Sequence, residues 1–249
     1  MILQRTPSFR LDGRRALVNG AGRGIGLAIA AALAQAGAKV TLAARTAAEV
    51  EAAAATLDGE ALVIDATDIS AFAAAIAARP AFQVFVNNAG TARHAPFLDV
   101  TAADYDAVMA LNLRGAFFAA QAVARAMVRD ATQGSIINVS SQMGHVGGPD
   151  RSVYAASKAG LEGLTRVMAI DLGAHGIRVN TLCPTFTRTP LTAPFFDRPG
   201  FTEWALARIR LGRFAEVTDM MGPAVFLASD ASAMVTGSAL MVDGGWTAG

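Results

Sequence analysis

Short apolar runs of strand length alternate with longer alanine-rich stretches along nearly all of this 249-residue chain. Arg15–Asn19, Lys39–Ala43, Ala61–Ile64, Val84–Asn87, Ser135–Val139, Arg178–Cys183 and Ala239–Val242 read as strands. Ile25–Ala36, Thr46–Leu57, Ser70–Ala78, Asn112–Arg129, Val153–Ala174 and Val217–Ser229 carry larger apolar residues at helical spacing. The strand runs are continuously apolar rather than alternating, as in a parallel sheet covered on both faces. Alternation of this length implies right-handed βαβ units, hence an α/β fold with a doubly wound parallel sheet of about seven strands. No Pro- or Ser-rich linker divides the chain, so residues 1–249 are expected to form a single domain. Pro184–Gly212 fits neither pattern at its start. Its Pro190, Pro194, Pro199 and Gly200 suggest a mobile segment, and residues 185–212 are expected to form a lid over the substrate.

Composition removes several function classes. Hydrophobic residues make up 53% and charged residues 16%, enough for a large core and unlike a disordered chain. The net charge is +1 with no basic stripe, which argues against a nucleic-acid partner. Gly24–Ala38, an uncharged run, is shorter than the ~20 apolar residues a bilayer span needs. Arg5, Pro7 and Arg10 leave no apolar core for a signal peptide, so no membrane partner is expected. A single cysteine, Cys183, fits a reducing cytoplasm. Three histidines and one cysteine without ligand spacing suggest no metal.

A glycine-rich turn, Gly20-Ala21-Gly22-Arg23-Gly24-Ile25-Gly26, joins the first strand to the first helix. Such a turn lets a pyrophosphate approach backbone amides at a helix N-terminus. The spacing is similar to the TGxxxGxG of short-chain dehydrogenases/reductases, with Asn19 where that family has Thr. Further matches follow in the family's order: Asp65, Asn87-Asn88-Ala89-Gly90, Asn112, Ser141, and Tyr154-Ala155-Ala156-Ser157-Lys158. The resemblance covers almost the whole chain and implies a single-domain Rossmann-type fold. It places Gly20, Arg23, Gly24, Ile25, Gly26, Asp65, Asn88, Ala89, Gly90, Pro184, Thr185 and Thr189 at the cofactor, with Tyr154 and Lys158 also touching it. It implies a homotetramer as well, in which some of Phe117, Phe118, Leu161 and Leu164 face a neighbouring subunit.

The second strand ends in Ala43-Ala44-Arg45. An acidic side chain there would favour NAD by accepting from the ribose hydroxyls. Arg45, with Arg23 nearby, suits a 2′-phosphate, so NADP is the expected cofactor and NAD the alternative.

Tyr154 and Lys158 are four apart on a helical stretch and share one face. A free phenol, with a pKa of about 10, is a poor base near neutrality, and a nearby ammonium should lower it. Tyr154 is therefore the expected general acid in reduction and general base in oxidation, with Lys158 tuning it. By the resemblance Ser141, thirteen residues before Tyr154, holds the substrate oxygen, and Asn112 holds a water on a proton path. Met143 and Phe186 fit core or pocket wall equally well.

The implied reaction is hydride transfer between a nicotinamide dinucleotide and an alcohol–carbonyl pair. Cys183-Pro184-Thr185-Phe186, Thr189-Pro190-Leu191 and the ending Asp243-Gly244-Gly245-Trp246-Thr247-Ala248 are similar to the gluconate 5-dehydrogenase-like and polyol dehydrogenase branch. A polyol or sugar acid is thus the expected substrate, and Arg93, Arg151 or Arg188 could pair with a carboxylate. Phe195, Phe196 and Trp204 point instead to an apolar ketone. The alternatives are a 3-oxoacyl thioester reductase, a general ketone reductase, or a dinucleotide-binding regulator without turnover.

Overall fold

The computed structural model describes residues 3–249. The strands are β1 (Arg15–Asn19), β2 (Lys39–Ala44), β3 (Glu60–Val63), β4 (Val84–Asn87), β5 (Gly134–Val139), β6 (Ile177–Pro184) and β7 (Ala239–Val242). The α-helices are α1 (Gly24–Gln35), α2 (Ala47–Thr56), α3 (Ile69–Ala77), α4 (Ala102–Met109), α5 (Ala116–Arg129), α6 (Ser152–Gly173), α7 (Ala193–Phe196), α8 (Phe201–Leu206) and α9 (Met221–Ala228). All neighbouring strands are parallel, in the order β3-β2-β1-β4-β5-β6-β7. The chain thus winds outward from β1 in one direction, then returns through β4 and winds out in the other.

Successive strand side chains point to opposite faces, which is why the strand runs must be apolar throughout. Ala16, Val18, Val40, Leu42, Val84 and Val86 pack with Ile29, Leu33, Leu227 and Ala228 of α1 and α9 on one face. Leu17, Phe85, Ile136 and Val179 pack with Phe72, Ile76, Val123 and Met127 of α3 and α5 on the other. Phe85 is fully buried at the sheet centre, where truncation of a Phe to Ala costs ~3–5 kcal/mol.

Two local features depart from the sequence expectation. The long helix begins earlier, at a Thr101 cap that accepts from the Asp104 amide at 3.1 Å, and Ala110–Gly115 forms a π-helical turn between α4 and α5. Gly115 sits there because a Cβ would lie 2.8 Å from the Ala66 carbonyl oxygen. The continuous helix Ala102–Arg129 has the length and hydropathy of a membrane span, yet its inner face forms part of the core. The segment after β6 holds two short helices, α7 and α8, over a third cluster containing Met143, Phe186, Phe214 and Trp246. Leu161, expected among the candidates to face a neighbouring subunit, is instead buried within the chain, unlike the exposed Phe117.

Candidate active site

The β1–β4 junction is where the winding direction reverses, and ligands of open α/β sheets bind beyond the strand C-termini at such a point. Seven buried side-chain atoms lack a hydrogen-bond partner among the described residues: Asn19 Nδ2, Asn87 Oδ1, His94 Nδ1, Ser140 Oγ, Gln142 Oε1, Arg151 Nε and Thr185 Oγ1. Asn19, Asn87, Ser140, Gln142 and Thr185 lie at or just beyond a strand C-terminus, His94 in the loop after β4, and Arg151 at the start of α6. Buried polar groups are normally satisfied, so unpartnered ones gathered at a single edge mark a place built for a ligand.

The glycine turn forms one wall. Gly20 holds φ +76°, and the Gly20 and Ala21 amides donate to the Ala43 carbonyl at 2.8 and 3.1 Å. A side chain on Gly26 would collide with the Gly20 carbonyl oxygen and the Asn88 amide, which itself donates to that oxygen at 2.9 Å. A Cβ on Gly20 would meet the Ala89 backbone at 2.8 Å. Gly20, Gly24, Ile25, Gly26, Asn88, Ala89 and Gly90 are therefore brought together as a tight backbone cradle that fits a dinucleotide pyrophosphate. On the opposite wall, the Thr185 amide donates to Val242 at 3.2 Å beyond Pro184, and the Thr189 methyl lies 3.5 Å from where a Gly24 Cβ would be.

At the adenosine end the two arginines differ. Arg23 pairs with Glu49 at 3.1 Å on the surface, so its charge is already engaged. Arg45 is exposed, with no ion-pair partner among the described residues. Asp65 accepts from the amide and hydroxyl of Thr67 at 2.8 and 2.7 Å. Those bonds hold its carboxyl below the ordinary carboxylate range despite partial burial, with Arg45 adding to the effect. Asp65 is thereby held ionised just beyond β3, where the sequence resemblance expects the adenine.

The residues expected to carry chemistry converge between β4, β5 and α6. Ser141 follows β5 and accepts from the Met143 amide at 3.1 Å. Its hydroxyl lies close enough to Tyr154 to favour the phenolate. Lys158 is buried, donates to the Val139 carbonyl at 2.8 Å, and places Nζ 5.7 Å from the Tyr154 ring centroid. Asn112 lies in the π-helical turn, a geometry that recurs at functional positions. Its amide donates to the Thr91 carbonyl at 2.9 Å and Ser157 Oγ at 3.2 Å, while Oδ1 accepts from the Thr91 amide at 2.8 Å. The turn thus fixes Asn112 against both the loop after β4 and α6.

The electrostatics differ from the sequence expectation in one respect. Burial pushes the Tyr154 phenol above its ordinary range, although the Ser141 hydroxyl and the Arg151 guanidinium pull it down. Lys158 is pushed down to about 8 by burial, with Cys183 and Glu162 opposing. Desolvation of both groups outweighs the lowering of the phenol expected from the ammonium. The protein alone therefore keeps Tyr154 as a neutral acid.

Sequence spacing gives no hint of two further groupings. His94, from the loop after β4, packs edge-on to Tyr154 with ring centroids 5.9 Å apart and meets Arg151 Nη1 at 2.8 Å. His145, Glu162 and Cys183 come together behind Ser140, with donor atoms within 4.8 Å of one another. There the Cys183 thiol, pushed up to about 12 chiefly by burial, donates to Glu162 at 3.3 Å. Glu162 also accepts from the Thr181 hydroxyl at 2.9 Å.

Residues 20–247 match a family model described as enoyl-(acyl carrier protein) reductase. A D-erythrulose reductase from Gallus gallus is 44% identical over 241 residues, 96% of this chain and 98% of that protein. A gluconate 5-dehydrogenase from Gluconobacter oxydans (strain 621H) is 39% identical, with 96% of each chain covered. Among solved structures, a gluconate 5-dehydrogenase from Burkholderia cenocepacia J2315 in complex with NADP and tartrate superposes with a TM-score of 0.93. It is 40% identical, covering 97% of this chain and 98% of that one.

Proposed function

This chain belongs to the short-chain dehydrogenase/reductase family, and we propose that it interconverts a small polar alcohol and its carbonyl compound, a polyol or sugar acid, with NADP. The observation that carries the polar substrate is the pair of unpartnered buried atoms beside Tyr154, His94 Nδ1 and Arg151 Nε. An apolar ketone would leave them unpaired, at a cost a hydroxylated substrate avoids. The aromatic residues of the 185–212 segment weigh less than their number suggests. Phe196, Phe201, Trp204, Phe186, Phe214 and Trp246 engage one another edge-on or stacked, and form a small core beneath the segment. We assign that segment the role of a lid, resting on those rings.

The bound nicotinamide would supply or accept the hydride. In reduction, Tyr154 donates its phenolic proton to the carbonyl oxygen, which the Ser141 hydroxyl holds in place. In oxidation the phenolate takes the alcohol proton. Lys158, pinned by Val139, would hold the nicotinamide ribose and supplies positive charge near the phenolate. Asn112 anchors the water path through which the proton is restored. Thr185 and Thr189 would orient the carboxamide, Arg45 would hold the 2′-phosphate, and Arg23 would add a weaker charge. The enzyme is assigned to the cytoplasm, in line with its one buried thiol. A homotetramer is assigned because the outer faces of α5 and α6 leave Phe117, Val128, Val167 and Ile170 exposed.

A cofactor-absorbance screen over polyols, sugar acids, simple ketones and 3-oxoacyl esters tests the substrate class. The largest kcat/KM is expected for a polyol or sugar acid. Far faster reduction of an apolar ketone or a 3-oxoacyl ester would overturn it.

A further inference from the structure

Of the three arginines that the sequence offers to a substrate carboxylate, two are already engaged. Arg93 pairs with Asp104 at 2.8 Å and Arg188 with Glu216 at 3.3 Å, all with substantially exposed side chains. Arg151 differs in burial and in charge pairing. It is only 9% exposed, stands three residues before Tyr154, and has no ion-pair partner among the described residues. Its guanidinium carbon lies 4.8 Å from the Phe186 ring centroid and 5.2 Å from that of Phe195 on α7.

Burying a cation without an anion is costly, and such groups persist where an anion arrives with a ligand. His94 offers no compensating charge. Burial, with Arg151 and Arg198 beside it, pushes its imidazole down to about 4, so a neutral ring accepts from Arg151 Nη1. Arg198 adds a second cation, its guanidinium carbon 5.0 Å from the Phe195 centroid. Asp150 contributes opposing charge nearby but forms no pair with Arg151. The guanidinium is thus held on one side by His94, while Nε on the other edge is buried without a partner.

We propose that Arg151 is the receptor for a carboxylate on the substrate, which it grips through its Nε and Nη2 edge while His94 holds Nη1. The planar edge matches a carboxylate with two parallel N–H···O bonds, and packing against the Phe186 and Phe195 rings holds the guanidinium in place. Arg151, the N-cap of α6, and Tyr154 both contact the His94 ring, so the gripped carboxylate belongs to the same small molecule as the reacting carbon. The substrate is then a polyhydroxy or keto acid rather than a neutral polyol. This inference rests on the polar-substrate proposal above and sharpens it.

The test uses matched pairs of an aldonate and its alditol, such as gluconate with glucitol and threonate with threitol, with NADP at saturation. In the wild type the aldonate is expected to have the higher kcat/KM by ~10–100-fold, the scale of charge-assisted hydrogen bonds. Arg151→Met should erase most of that ratio. Arg151→Lys, which keeps the charge and loses the fork, should leave an intermediate ratio and serves if the Met variant does not fold. Arg93→Met and Arg188→Met should leave the ratio unchanged. As a readout independent of turnover, malonate should raise the Tm of the wild type and not that of Arg151→Met. Equal or better use of the alditol in every active pair, or a ratio indifferent to Arg151, overturns the carboxylate receptor and leaves the polar-substrate proposal standing. Turnover of apolar ketones with no activity on any pair overturns both.

Discussion

Lys158 donates to the Val139 carbonyl at 2.8 Å, one helical turn along α6 from the phenol that it serves. This pins a buried ammonium at the end of β5, where burial brings it down to about 8, while the Tyr154 phenol is pushed up. The signs give a pH dependence. A raised phenol is the neutral acid through the physiological range, ready for carbonyl reduction. Alcohol oxidation needs the phenolate and should rise as pH increases. Reduction should decline as pH passes about 8 and Lys158 loses its charge. Profiles of kcat/KM in both directions check this, and an oxidation rate independent of pH would contradict it.

Cofactor choice should depend on Arg45 more than on Arg23. Arg45 has no ion-pair partner among the described residues, whereas Arg23 is held by Glu49 at 3.1 Å. Fluorescence titration should give tighter binding of NADPH than NADH, and Arg45→Ala should narrow the gap by ~10-fold or more, as expected for loss of a charge-assisted contact. Arg23→Ala should narrow it less. Tighter wild-type binding of NADH would contradict the assignment.

Cys183 should be inert in the native protein. Its thiol is fully buried, pushed up to about 12, and bonded to Glu162. The thiolate is the reactive form, so at pH 8 a disulfide reagent should modify it far more slowly in buffer than in denaturant. Equal rates would show that the His145–Glu162–Cys183 cluster is open to solvent.

Much of the fold is readable from the chain because a doubly covered parallel sheet imposes continuous apolar strands and long intervening helices. The strand Ala239–Val242 and the core of every long helix follow that rule. The cradle is equally legible, since Gly20 and Gly26 are dictated by backbone approach. What escapes the sequence has no local signal. The π-helical turn at Ala110–Gly115 lies inside an unbroken helical pattern and shows itself only where Asn112 meets Thr91 and Ser157. Helices α7 and α8 are hidden by Pro194, Pro199 and Gly200, and are held by ring packing rather than by a periodic face. Arg93, Arg151 and Arg188 look alike in sequence, and only their partners tell them apart.

The exposed apolar faces of α5 and α6 should bury one another between subunits. Light scattering at micromolar concentration is expected to give a tetramer mass, and Ile170→Glu, a charge on a residue 78% exposed in the single chain, should shift it downward. A monomer mass for the wild type would contradict the tetramer.

The central claim is that Tyr154 carries the proton. Tyr154→Phe removes one hydroxyl from a half-buried ring and leaves the packing intact. Measured on the best substrate of the screen, the variant should keep its fold and its NADPH affinity while kcat falls by ~10²–10⁴-fold, the usual worth of general acid–base catalysis. Near-wild-type turnover in the purified, folded variant would remove Tyr154 from that role and with it the mechanism.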